Sequence, residues 1–234
     1  MIVSMKKASR KTIWIILPIV LFFLLCCAST QKEKSESRDA DFYINRGNTY
    51  FKKDQYDQAI IDYTKALEIV PGVAEVYFSR GCVYHKQGQY DQAISDYNKA
   101  IEINPRYFPP YINLESAWVL GKKVQYDQVI SIYSKFLEIY PKDIWAYTAY
   151  IRRGHAYGIR GQYDHAIADY TKALEINPGD ALGDAFAYYN RGRAYYSKGE
   201  FDKSWDDIKK AEELGYQIPS KFLDDLRKAS GRQN

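Results

Sequence analysis

Gln55-Tyr56-Asp57-Gln58-Ala59-Ile60 recurs almost unchanged, 34 residues later, as Gln89-Tyr90-Asp91-Gln92-Ala93-Ile94. Three further versions occur downstream: Tyr126-Asp127-Gln128-Val129-Ile130, Tyr163-Asp164-His165-Ala166-Ile167 and Phe201-Asp202-Lys203-Ser204-Trp205. From one leading aromatic residue to the next the spacings are 34, 36, 37 and 38. Pro71, Pro105, Pro141 and Pro178 keep step with them, at separations of 34, 36 and 37. A period near 34 residues that lengthens only at its turns marks a chain built from stacked supersecondary units.

Each unit predicts two antiparallel helices. In the second copy Tyr77, Gly81 and Tyr84 share one helical face, and Ala93, Tyr97, Ala100 and Ile101 share another, at spacings of three, four and their multiples. Gly88 marks the turn between the two helices, and Asn104-Pro105 ends the second, because the residue before proline is pushed out of the α region. Glycine inside a helix costs about 1 kcal/mol relative to alanine. Yet Gly47, Gly81, Gly154 and Gly192 recur in mid-helix, opposite Ala59, Ala93, Ala166 and Ser204. Small residues in both slots let two backbones approach and gain dispersion contacts along their length. Tyr43, Tyr77, Tyr111, Tyr150 and Tyr188, with Tyr50, Tyr84, Trp118, Tyr157 and Tyr195, fill the space around that approach.

Arginine precedes the glycine slot in four copies (Arg46, Arg80, Arg153, Arg191), and the same four carry aspartate in the second helix (Asp62, Asp96, Asp169, Asp207). In the third copy both change together, to Leu114 and Ile132. Paired replacement of charge by hydrocarbon is what direct contact requires, so an Arg–Asp bridge between the helices of a unit is expected. The alternative is that both groups are solvated surface residues. The third copy also places Glu115 in the glycine slot, Val129 and Phe136 in alanine slots, and two extra residues around Lys122-Lys123. Its helices should sit further apart, leaving a bend or a widened groove, whether as a binding feature or as drift.

These slots, with Ala66, Ala100, Ala173 and Ala211 late in the second helices, resemble the tetratricopeptide repeat (TPR) family over residues 40–215. The copies run 40–73, 74–107, 108–143 (divergent), 147–180 and 185–216, with a capping helix and tail at 217–234. The resemblance implies an all-α solenoid, a right-handed superhelix of helix-turn-helix units whose first helices line a concave groove for peptides or partner helices. Stacked units need a solvating end. Phe222, Leu223 and Leu226 supply one as a single apolar stripe among charged neighbours. By the same resemblance the groove slots are Ile44, Asn48 and Phe51; Phe78, Cys82 and His85; Ile112, Ser116 and Val119; Ile151 and His155; and Tyr189, Arg193 and Tyr196. Relatives that clamp a C-terminal carboxylate need polar donors where Ile44 and Ser79 stand, so an apolar or aromatic segment is the expected occupant. The other reading of this stripe is packing against neighbouring repeats.

The 23 tyrosines against two methionines fit a few recurring slots. Net charge is +4, with 33 basic and 29 acidic residues. Lys6, Lys7, Arg10 and Lys11 precede the apolar run Ile13–Ala28 and account for the whole excess. The rest of the chain is neutral, its charges intermixed, with no electrostatic footprint for nucleic acid.

Residues 1–28 have the layout of an export signal or membrane anchor, with a polar linker at 29–39. As a helix the run would reach about 24 Å, short of the ~30 Å hydrocarbon core, and Pro18 interrupts it. Leu24-Leu25-Cys26-Cys27 resembles a bacterial lipobox, with Cys27 as the lipid attachment residue. Cleavage after Ala28 without lipid and an uncleaved anchor are the other outcomes. All three leave the repeats facing a periplasm or the cell exterior, since Lys and Arg are retained in the cytoplasm.

Beyond that segment only Cys82 remains, so no disulfide framework is expected. No phosphate-cradling loop, Cys-x-x-Cys pair or nucleophile motif appears, and the three histidines fall in separate slots. No catalytic residue, metal site or cofactor is therefore assigned. The expectation is an envelope-tethered scaffold that holds a protein or peptide partner. It serves either as an assembly factor for outer-membrane, pilus or secretion components or as a generic scaffold of a signalling or self-associating envelope complex.

Overall fold

A computed structural model describes residues 31, 37–121, 126–176 and 179–232. The expected signal or anchor at 1–28 with Cys27, most of the linker, Lys122-Lys123 and Pro178 lie outside the described residues. The chain divides into two compact units, residues 1–89 and 90–234.

The first unit contains α1 (helical over 37–52), α2 (Tyr56–Ile69) and α3 (Ala74–Lys86). Its core is Ala59, Tyr63, Ala66, Leu67, Val76 and Val83, with Tyr43, Tyr50 and Tyr77 packed around it. Gly47 sits where α1 meets the Tyr63 ring, and a Cβ there would lie 2.9 Å from Tyr63 Cε1. At this slot α1 comes close to α2 through the Tyr63 ring, which would have to shift to admit a methyl group.

The second unit runs α4 (Tyr90–Ile103), α5 (Pro109–Leu120), α6 (Tyr126–Ile139), α7 (Ala146–Ile159), α8 (Tyr163–Ile176), α9 (Ala181–Ser197), α10 (Phe201–Glu213) and α11 (Ser220–Ser230). Helices adjacent in sequence pack against each other, as in TPR solenoids, and no strand occurs among the described residues. α7 with α8 and α9 with α10 touch along their length, whereas α5 touches α6 sparsely. The third copy is looser for the reason its sequence states: Glu115, Val129 and Phe136 stand where other copies have glycine and alanine. The space is filled by rings instead, with Phe108 at 4.8 Å from Phe136 and 5.2 Å from Trp145 between ring centres.

First helices end in a repeated manner. The amides of Gln55, Gln89, Gln162 and Glu200 donate to the carbonyls of Tyr50, Tyr84, Tyr157 and Tyr195, each at 2.9 Å. The residue before each amide takes a positive φ: 56° at Asp54, 73° at Gly88, 71° at Gly161 and 77° at Gly199. A left-handed residue closing a helix this way satisfies carbonyls the helix leaves open, and glycine adopts it without steric cost.

α9 departs from the expected start near residue 185. It begins at Ala181, where the Asp180 side chain accepts a hydrogen bond from the Gly183 amide at 3.1 Å. At the other end α11 turns Leu226 inward, fully buried, with Phe222 and Leu223 beside it in the cluster of Tyr189, Ile208 and Ala211. The expected apolar stripe is the face that packs.

Candidate partner-binding surface

The Arg–Asp pairs set the register between the helices of a unit. Arg46 donates to both Asp62 oxygens at 2.6 and 2.7 Å, and Arg153 to Asp169 and Arg191 to Asp207 do the same at 2.7 Å. The carboxylates are almost wholly buried. Each guanidinium also faces tyrosine rings, with Arg153 at 5.6 Å from the Tyr150 centre and 5.8 Å from that of Tyr157. Burial pushes the Asp169 and Asp207 carboxyls above their ordinary range and outweighs the arginine hydrogen bonds that pull them down.

A third partner escaped the sequence reading. Arg153 Nη1 donates to Ser134 Oγ at 3.1 Å and Arg191 Nη1 to Thr171 Oγ1 at 3.0 Å, so each arginine also holds the second helix of the preceding copy. Within the first unit Arg80 reaches Thr64 Oγ1 at 3.0 Å. The polar residue after the Tyr63, Tyr133 and Tyr170 slots was the available signal.

The slots expected to line a groove are divided between core and surface. In the first unit Ile44 and Phe51 pack on the core, and Asn48 accepts a hydrogen bond from the Tyr63 hydroxyl at 2.6 Å. Burial pushes that hydroxyl's pKa up to about 12. Phe78, Cys82 and His85 are half-buried on α3, and burial, with Lys86 as a smaller cause, pulls the His85 pKa down.

In the second unit Ile112 and Ser116 are half-buried and Val119 is exposed on α5. Tyr189 is buried, stacked on Tyr216 at 4.5 Å, and Tyr196 meets the Phe222 ring edge-on at 5.3 Å. Both are engaged by the C-terminal segment. Arg193 is exposed, 5.7 Å from the Tyr189 ring centre.

Ile151 and His155 come together in a hollow of about 430 Å³ formed by α5, α7 and the start of α9. Thr148, Ile151, Arg152 and His155 line one face of α7 at helical spacing, Glu115 enters from α5, and Asp180, Gly183 and Phe186 close the far side. Gly183 sits close to the Tyr147 hydroxyl and the Asp180 carboxylate, and a Cβ there would displace the ends of those side chains. The Tyr147 hydroxyl donates to Asp184 Oδ1 at 2.9 Å behind this wall. His155 also borders a smaller hollow of about 120 Å³ with Asn190 and Arg193. Burial lowers the His155 pKa, and Arg152 and Arg193 lower it further, which favours the neutral imidazole. Glu115, Arg152 and Phe186 were absent from the sequence-predicted lining. The glutamate in a glycine slot was the signal that pointed there.

Nested helix pairs whose first helices enclose a lined hollow define an α-helical repeat scaffold for protein–protein contact. The chain belongs to the tetratricopeptide repeat family. Family models described as Tetratricopeptide repeat match residues 74–107, 147–180 and 187–214, and one described as TPR repeat matches 47–88. Among solved structures it is similar to MamA, at 25% identity over 85% of this chain and 98% of that one, with a TM-score of 0.62. It is also similar to YrrB, described as "a TPR protein with an unusual peptide-binding site", at 24% identity over 80% and 91% with a TM-score of 0.60. PilF of Pseudomonas aeruginosa shares 18% identity over 84% and 86% with a TM-score of 0.60. No curated protein matches the chain.

Proposed function

We propose that this chain is a non-catalytic scaffold tethered to the bacterial envelope through its N-terminus, facing the periplasm or cell exterior. There it binds an apolar or aromatic segment of a protein partner and helps outer-membrane, pilus or secretion components assemble. The observation that carries the binding role is the hollow between α5, α7 and α9, whose volume of about 430 Å³ is within the range of ligand-binding pockets and whose walls mix apolar and polar groups. The tether is supported by sequence: a basic stretch, an uncharged run and the Leu24-Leu25-Cys26-Cys27 segment, with Cys27 as the lipid-bearing residue.

Crosslinking in the native membrane, with affinity capture and identification of the bound chain, tests both parts. A β-barrel, secretin or pilus component is the expected partner. Self-contacts or a mixture of soluble proteins would replace the assembly role with that of a generic scaffold. Metabolic labelling with a fatty acid, lost in Cys27→Ser, checks the anchor.

A further inference from the structure

We propose that the hollow between α5, α7 and α9 receives a lysine or arginine side chain of the partner, its charged head at the Glu115 carboxylate and its aliphatic stem along Ile151 and Phe186. This rests on the reading that a partner segment lies along the first helices.

The first argument is what the third copy does with its glycine slot. Gly47, Gly154 and Gly192 each sit so close to the facing helix that a Cβ would meet an atom within 3.2 Å. The third copy forgoes that contact and places a carboxylate there, 14% exposed, on the wall of the hollow.

The second is unfilled bonding capacity. A carboxylate offers about four acceptor positions. Glu115 uses one, for the Tyr133 hydroxyl at 2.8 Å, and the nearest cation, Arg152 Nη1, stands 3.8 Å away, beyond hydrogen-bond range. Arg152 itself is 44% exposed at the rim. Among the described residues no other donor reaches this carboxylate.

The third is sign and shape. Glu115 and Asp180 line the hollow as acidic residues, Arg152 lines it as a basic one, and the lowered pKa of His155 favours its neutral form. An acidic side chain would meet two like charges. A purely apolar one would seal Glu115 from water with the Tyr133 hydroxyl as its one hydrogen bond and Arg152 at 3.8 Å, leaving most of its acceptor positions unfilled. A long cationic side chain satisfies the carboxylate, and its methylenes suit the Ile151 and Phe186 walls, where an aromatic face adds attraction for the cation. Burial holds the Glu115 carboxyl above its ordinary range, against the pull of Arg152 and Tyr133. An entering cation would reverse that shift.

The test uses the full chain in detergent and an array of immobilised peptides with varied apolar and aromatic flanks. Each is made in four forms, with lysine, arginine, norleucine or glutamate at the centre. Among binders, lysine and arginine forms are expected to bind roughly tenfold more tightly than their norleucine counterparts, with glutamate forms weakest. In Glu115→Gln, which keeps an acceptor for Tyr133, that preference should fall to within about twofold. Binding indifferent to the central residue, or a preference unchanged in Glu115→Gln, overturns the proposal and leaves the scaffold reading standing. Absence of binding by any peptide overturns both.

Discussion

A methyl group is the finest probe of how closely the repeat helices pack. At Gly154 a Cβ would lie 3.2 Å from Asp169 Cβ, 3.3 Å from Tyr170 Cε1 and 3.4 Å from the Ala166 carbonyl oxygen. Gly154→Ala gains about 1 kcal/mol of helix propensity and loses about 1–3 kcal/mol to overpacking, for a net destabilisation near 1 kcal/mol in urea unfolding. A more stable variant would mean the neighbours yield freely. At the adjacent pair, Asp169→Ala leaves the half-buried Arg153 without its carboxylate and should cost about 3 kcal/mol, the lower end of the range for a buried pair. Replacing Arg153 and Asp169 jointly by leucine and isoleucine, as the third copy does at Leu114 and Ile132, should stay within about 1 kcal/mol of the parent or exceed it. Additive single effects in that double-mutant cycle would mean that the contact carries no energy. Glu115 gives a pH signature. Its folded-state pKa is raised, chiefly by burial, so its contribution favours folding below the ordinary glutamate pKa and is lost as pH rises through the raised value. Glu115→Gln should therefore unfold at a higher temperature than the parent at pH 7, with the difference closing as pH falls toward 4.

At the level of helices, the arginine's third bond joins one copy to the next. Arg153 links α7 to α8 through Asp169 and to α6 through Ser134, while Arg191 links α9 to α10 through Asp207 and to α8 through Thr171. Such a residue couples a unit's internal pairing to its stacking. Ser134→Ala removes one hydrogen bond to a charged donor, for an expected loss of about 1 kcal/mol. Hydrogen exchange should show that loss as faster opening of α6 and α7 together. Protection reduced in α6 alone would assign the bond a local role. α5 and α6 lack this device because Leu114 replaces the arginine, and contacts among the Phe108, Tyr111, Phe136 and Trp145 rings pack that part of the unit instead.

For the molecule as a whole, stability in a repeat array is a sum of unit and nearest-neighbour terms, so an uncovered end weakens what lies next to it. Truncation before Pro219 would strip Leu226, Phe222 and Leu223 from the cluster around Tyr189 and Ile208. The expected result is a lowered and broadened thermal transition, loss of protection concentrated in α9 and α10, and concentration-dependent association through the bared face. An unchanged transition would show that α11 does not act as a cap. The neutral charge balance beyond residue 11 leaves recognition to pockets and shape rather than to a long-range field.

Apart from the start of α9, the helix pairing, the small-residue slots and the Arg–Asp contacts of Arg46, Arg153 and Arg191 could be read from the chain. Each depends on residues three or four apart, or on identical positions in successive copies, and such relations survive in one dimension. Even the exception at Leu114 and Ile132 was informative, since two slots that change together must meet. What the chain could not state was how far one copy turns relative to the next. That rotation brings Ser134 and Thr171 under the following arginine, carries Tyr189 and Tyr196 beneath the C-terminal segment, and opens the hollow in which Glu115, Ile151 and Phe186 face one another. Those distances are set by side-chain volumes summed across several helices, so only the packed structure decides them.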